Sequence, residues 1–161
     1  MVELTLVGVR VEVPSNQPIV LLKETTPTGR YLPIYIGQPE ATAIVFALQE
    51  MATERPMTHD LFTTVLSDLS VQLERVRITD LRDGTFFAEL DLRANGDLHQ
   101  ISSRPSDAIA LAVRQGAPVP IFAEEAVLDE AGVQFEDDDE EQQVEQFREF
   151  LDQVDPEDFE L

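Results

Sequence analysis

A chain of 161 residues, 43% of them hydrophobic, can bury one substantial core, and the absence of cysteine excludes disulfides and thiolate metal ligands. Its 32 acidic residues outnumber 11 basic ones for a net charge of −21, which argues against a broad phosphate-binding surface; contact with nucleic acid needs a local basic patch or a bound divalent cation. The start, Met1-Val2-Glu3-Leu4-Thr5, lacks the basic and apolar regions of a leader, and no stretch approaches the length of a membrane span, so a cytoplasmic protein with no membrane partner is expected.

Residues 1–47 recur, 67 positions on, in residues 68–114 at what reads as one ungapped offset. Leu4 to Val11 aligns with Val71 to Ile78, Thr28-Gly29 with Asn95-Gly96, and Glu40-Ala41 with Asp107-Ala108. The spacing predicts an α+β fold in which a strand-strand-strand-helix unit occurs twice, as copies 1–67 and 68–134, and the two copies share one core. In each first strand the apolar parity slips once, between Leu6 and Val9 and between Leu73 and Val76, which predicts a bulge at Val7-Gly8 and at Glu74-Arg75. Pro14 to Pro18 turns the first copy, and Asp83-Gly84 is a two-residue hairpin signal in the second. Second strands follow at Ile19 to Lys23 and through Phe86, Ala88, Leu90 and Leu92. Leu32, Ile34 and Ile36 share one face of the third strand, where Pro33 predicts a sheet edge. His99 aligns with Leu32, and a partly buried, hydrogen-bonded imidazole is expected there.

Helices are predicted to open at Pro39 and Pro105, and the apolar runs Ala41 to Ala52 and Ala108 to Val113 predict burial nearly all round. The copies then diverge. Thr58 is placed to cap a helix from His59 to about Leu69, whereas the second copy continues as a short strand, Val119 to Phe122, and a helix, Glu124 to Ala131, ended by Gly132. Residues 136–161 hold 13 acids and one base, net −12. Residues 135–143 read as a solvated acidic linker, and in 144–161 Val144, Phe147, Phe150, Leu151 and Val154 recur at helical spacing, an amphipathic helix for its own domain or a protein partner.

No nucleophile triad, phosphate loop or zinc spacing is present, and the chemistry-bearing residues cluster at helix starts: Glu40, Arg55, His59, Asp60, Arg104, Ser106 and Asp107. Glu40 and Asp107 occupy equivalent first turns. On one reading each simply stabilises its helix dipole. If the duplication instead brings both helix starts to one cleft, the paired carboxylates require a divalent cation or a shared proton. His59 is either solvent-facing or a ligand or base, and Asp60 either a dipole partner or a cation ligand. Arg55 and Arg104, each before a proline, are either plain ion-pair partners or bidentate holders of a phosphodiester.

Tyr31 to Ala41 (YLPIYIGQPEA), Arg55 to Leu61 (RPMTHDL), Asp83 to Ala88 (DGTFFA) and Arg104 to Ala112 (RPSDAIALA) together resemble the bifunctional nuclease family, over residues 2–133. The acidic linker and the terminal Phe147 to Phe159 are similar to the tail of actinobacterial members. The resemblance implies an α+β fold, a homodimer, and an activity on both DNA and RNA. Two functions follow as expectations. The first is a metal-dependent phosphodiesterase with little base preference, in which Glu40, Asp60 and Asp107 hold Mg²⁺ or Mn²⁺, His59 or a metal-bound hydroxide activates water, and Arg55, Arg104 and Ser106 bind phosphate. The second is a non-catalytic regulatory module that engages a partner through its acidic tail.

Overall fold

Two antiparallel three-stranded units lay their apolar parity against helices in the computed structural model, which describes residues 1–27 and 29–134. In the first copy β1 (Val2–Glu12), β2 (Gln17–Glu24) and β3 (Tyr31–Tyr35) pair in turn and lead into α1 (Gln38–Leu48) and α2 (Thr58–Asp68). The second copy repeats this as β4 (Gln72–Arg82), β5 (Thr85–Ala94), β6 (Asp97–Ser103) and α3 (Pro105–Ala112), followed by β7 (Ile121–Ala123) and α4 (Glu125–Ala131). The fold is α+β, a single mixed sheet in the order β3-β2-β1-β7-β4-β5-β6. The short β7 joins the copies, antiparallel to β1 and parallel to β4.

Both predicted bulges appear as register shifts, between Leu6 and Gly8 and between Leu73 and Arg75. Asp83 (φ 50°) and Gly84 (φ 74°) make the left-handed pair that a type I′ hairpin demands. Pro33 lies on the edge strand β3, as expected. The single offset, however, conceals two compensating changes. Leu6 faces Leu22 and Leu73 faces Leu92, so the second strands correspond at a shift of 70. The second hairpin is longer by three residues, helped by an extra bulge between Ile78 and Asp80, and the turn to the third strand is shorter by as many.

The core runs across the joined sheet beneath α1 and α3, with Leu22, Leu32, Ile44, Ile78 and Ile109 fully buried. Each such side chain contributes about 1.5 to 3 kcal/mol by leaving water. α3 is buried along nearly its whole length, as expected, because it is packed against α1, α2, β4 and β5. α1 departs from expectation. It ends at Leu48, where Glu50 takes a left-handed φ of 53°, and buries only Ala41, Ala43 and Ile44, having α3 and the sheet on one side alone. α2 buries no residue. Thr58 is its first residue and not its cap; the Asp60 carboxylate instead accepts the Met57 N–H at 2.8 Å.

One further expectation is corrected, and one buried position emerges beside it. His99 is exposed, because α3 covers β4 and β5 and leaves β6 open, whereas the aligned Leu32 is covered. Asp91 was not singled out as a core position, yet its side chain is 0% exposed, held by Arg75 and by Arg77 at 2.9 Å on the sheet face opposite Leu90 and Leu92. The acidic linker and the amphipathic segment of residues 135–161 lie outside the described residues.

Candidate functional site

The starts of α1 and α3 point into one cleft of about 890 Å³, roofed by α2 and floored by β5 and β6. Its walls are mostly apolar, through Pro39, Ala43, Met57, Phe62, Leu90 and Ile101. At one end stand Glu40, His59, Arg104 and Asp107. A predominantly apolar pocket with a few convergent polar groups is the usual form of a small-ligand site.

The two carboxylates do meet across the duplication, and the group between them is a guanidinium. Arg104, the residue immediately before α3, donates from Nε to Asp107 Oδ2 at 2.7 Å and from Nη2 to Oδ1 at 3.1 Å, while its Nη1 lies 3.0 Å from Glu40 Oε1. The expected conflict of like charges is thus answered, in this arrangement, by the guanidinium itself. His59 Nε2 is 3.0 Å from Asp107 Oδ1, so one carboxylate orients both the imidazole and the guanidinium. Burial pushes the Asp107 carboxyl up, but the hydrogen bonds from Arg104 and His59 outweigh it and hold the group below the ordinary carboxylate range. Asp107 is therefore ionised at neutral pH. Arg104 is correspondingly raised, chiefly by the hydrogen bond to Asp107.

Gly37 is a site residue that sequence reasoning missed. A Cβ at this position would collide with Glu40 Oε2, so the carboxylate occupies the space a larger residue would fill. Gly37 aligns with Arg104 at the offset of 67. One copy therefore clears room before its helix and the other supplies the cation that enters it. The signal was present in the alignment as a glycine facing an arginine.

The other expected residues lie elsewhere. Asp60 accepts from Arg114 Nε at 2.8 Å through Oδ1 and from the Met57 N–H through Oδ2, so both oxygens are engaged away from the cleft. Burial would raise its carboxyl, and these bonds lower it overall. Arg55 is exposed outside the cleft, and Ser106 is buried behind it in the first turn of α3. Among the described residues no three histidine, aspartate or glutamate side chains gather as metal donors. Glu40, Asp60 and Asp107 as placed therefore do not fit as the ligands of a Mg²⁺ or Mn²⁺ ion: one carboxylate is turned away and the other two share Arg104.

The sequence matches the bifunctional nuclease domain over residues 20–136. It is 47% identical to an uncharacterized protein of Mycobacterium tuberculosis over 99% of this chain and 98% of that protein. Bifunctional nuclease 1 of Arabidopsis thaliana is 28% identical over 65% of this chain and 33% of its own length. Bifunctional nuclease 2 of the same plant is 30% identical over 63% of the chain and 32% of its length.

Proposed function

Because this chain belongs to the bifunctional nuclease domain family, we propose that it is a phosphodiesterase that cleaves DNA and RNA with little base preference, using the cleft between α1, α2 and α3. One observation carries the reading: Asp107 grips a histidine and an arginine at the same end of an apolar cleft. With Asp107 ionised, the His59 Nε2–H donates to it and the opposite nitrogen, Nδ1, presents a lone pair. A water there loses its proton to Nδ1 as its oxygen bonds to phosphorus. The phosphorus–oxygen bond to the leaving group then breaks, and the leaving oxygen takes up a proton from solvent. Arg104, whose side chain is 64% exposed, keeps outward N–H groups for the phosphorane oxygens while Glu40 and Asp107 fix its plane. Low base preference follows from the walls, since apolar contacts accept any base and few donors or acceptors are present to read one.

The test is cleavage of end-labelled single-stranded DNA and RNA by purified protein. Slow cleavage of both, lost in His59→Ala, is expected. A wild-type chain that cleaves neither, with or without Mg²⁺ or Mn²⁺, would overturn the reading and favour the regulatory module.

A further inference from the structure

The two edges of the sheet are built differently. At β3 the outer edge is closed: Tyr31 exchanges both backbone hydrogen bonds with Val133, each at 2.8 Å, and Pro33 has no N–H to offer. These are devices that keep an edge from recruiting another strand. At β6 neither is present. Leu90 faces Ile101 as Val20 faces Ile34, so Gln100 occupies the place of Pro33 and turns an N–H outward. Among the described residues nothing pairs with that edge. In a chain of net charge −21, the stretch from Leu98 to Ser103 contains no aspartate, glutamate, lysine or arginine, so self-repulsion is weakest here. Leu98 on one face and Ile101 on the other remain 40% and 48% exposed, and on the cleft face that Ile101 shares with Phe62, α2 leaves Leu61, Phe62 and Val65 uncovered.

We infer that β6 pairs antiparallel with β6 of a second copy about a twofold axis at Gln100, and that this pairing brings His99 of the partner subunit to the cleft. An axis perpendicular to the sheet keeps each copy's faces on the same side, so opposed residues must share parity. Centring on Gln100 pairs all of β6, sets Asp97 against Ser103 and opposes no like charges. Ile101, on the cleft floor, then lies directly across from the partner's His99. The two α2 helices come to the same side of the extended sheet, where their apolar side chains are covered. The imidazole adds a donor to a cleft whose own carboxylates outnumber its guanidinium, which an anionic substrate needs. This last role rests on the phosphodiesterase reading; the strand pairing does not.

The chain has no cysteine, so Gln100→Cys is a clean reporter of the axis. Opposed Cα atoms about 5.5 Å apart are within disulfide range. Mild oxidation should link Gln100→Cys into dimers and leave Tyr35→Cys, on the closed edge, unlinked. In sedimentation the wild type should be a dimer, and Gln100→Pro a monomer with unchanged circular dichroism, since among the described residues nothing pairs with that N–H. A monomeric wild type, including one whose edge is covered by its own residues 136–161, or equal linking of the two cysteine variants, would overturn the pairing. For the cleft role, His59→Ala and His99→Ala are each expected to be inactive; mixed and re-equilibrated, they should regain about a quarter of wild-type activity, because half the dimers carry one intact site. Intact dimers without recovery would overturn the contribution in trans. A wild type with no activity would overturn the phosphodiesterase reading instead and leave the disulfide result to decide the interface.

Discussion

Replacing Asp107 by asparagine keeps the volume of the side chain and removes the charge that orients both His59 and Arg104. The imidazole loses the partner that fixes its tautomer, and base catalysis of this kind accounts for about 10²- to 10⁴-fold in rate. That corresponds to about 3 to 5 kcal/mol of barrier. The effect on stability should be much smaller. The Asp107 side chain is 29% exposed and that of Arg104 64%, so water replaces much of what is lost, and exposed pairs of this sort contribute about 1 kcal/mol or less. For a domain of this size the melting temperature should fall by less than about 5 °C. Initial rates on labelled single-stranded DNA and RNA, measured beside thermal melts of the same preparation, give both quantities. Cleavage at the wild-type rate would refute the role of Asp107 and identify a contaminating nuclease or another site. Loss of cleavage with a fall of some 15 °C or more would show that the residue holds the fold and not the reaction.

Arg104→Ala should weaken substrate binding and lower kcat as well, since it removes donors to the phosphate that strengthen toward the phosphorane, and steady-state kinetics separate the two. Gly37→Ala should push the Glu40 carboxylate off its position beside Arg104 and reduce kcat/KM by about tenfold with little change in melting, because the displaced group is the end of a flexible side chain. Asp60→Asn should cost about 1 to 2 kcal/mol through the Arg114 and Met57 bonds, seen as a lower denaturant midpoint, and should leave the affinity for Mn²⁺ measured by titration unchanged; a loss of Mn²⁺ binding would restore it as a ligand. The carboxyls of Asp60, Asp91 and Asp107 are all held below their ordinary values, so the stability they contribute is present above about pH 4 and is lost as pH falls below it. Asp91→Ala leaves Arg75 and Arg77 without their shared partner and should cost about 2 to 4 kcal/mol, less than a fully buried pair because Arg75 reaches solvent, and should flatten the acid limb of a pH titration of stability.

Local periodicity carried far in this chain, because bulges, hairpins and helix starts are decided by residues within a few positions of one another. The parity slips at Val7-Gly8 and Glu74-Arg75, the Asp83-Gly84 turn and the prolines at the starts of α1 and α3 are all of this kind. Duplication extended that reach one step further. Two helices at equivalent positions had to present their first turns equivalently, so Glu40 and Asp107 could be paired from sequence before any contact was seen. Misreadings arose where length changes cancelled, as in the second strands, and where one copy's element has a cover that the other's lacks, as with His99 opposite the buried Leu32.

What only the tertiary structure decided is which charge answers which. Glu40 and Asp107 find Arg104 between them, Asp60 turns to Arg114 more than fifty residues away, and Asp91 is buried because Arg75 and Arg77 reach it across the sheet. Side-chain ion pairs have no period and fall off within a few ångströms, so sequence spacing does not encode them. The sequence by itself determined the repeated architecture and the neighbourhood of the site, through hydrophobic burial that acts at fixed spacing. The identity of the groups that share the cleft was left to packing, which sets distances finely enough for a guanidinium to stand where a metal ion was expected.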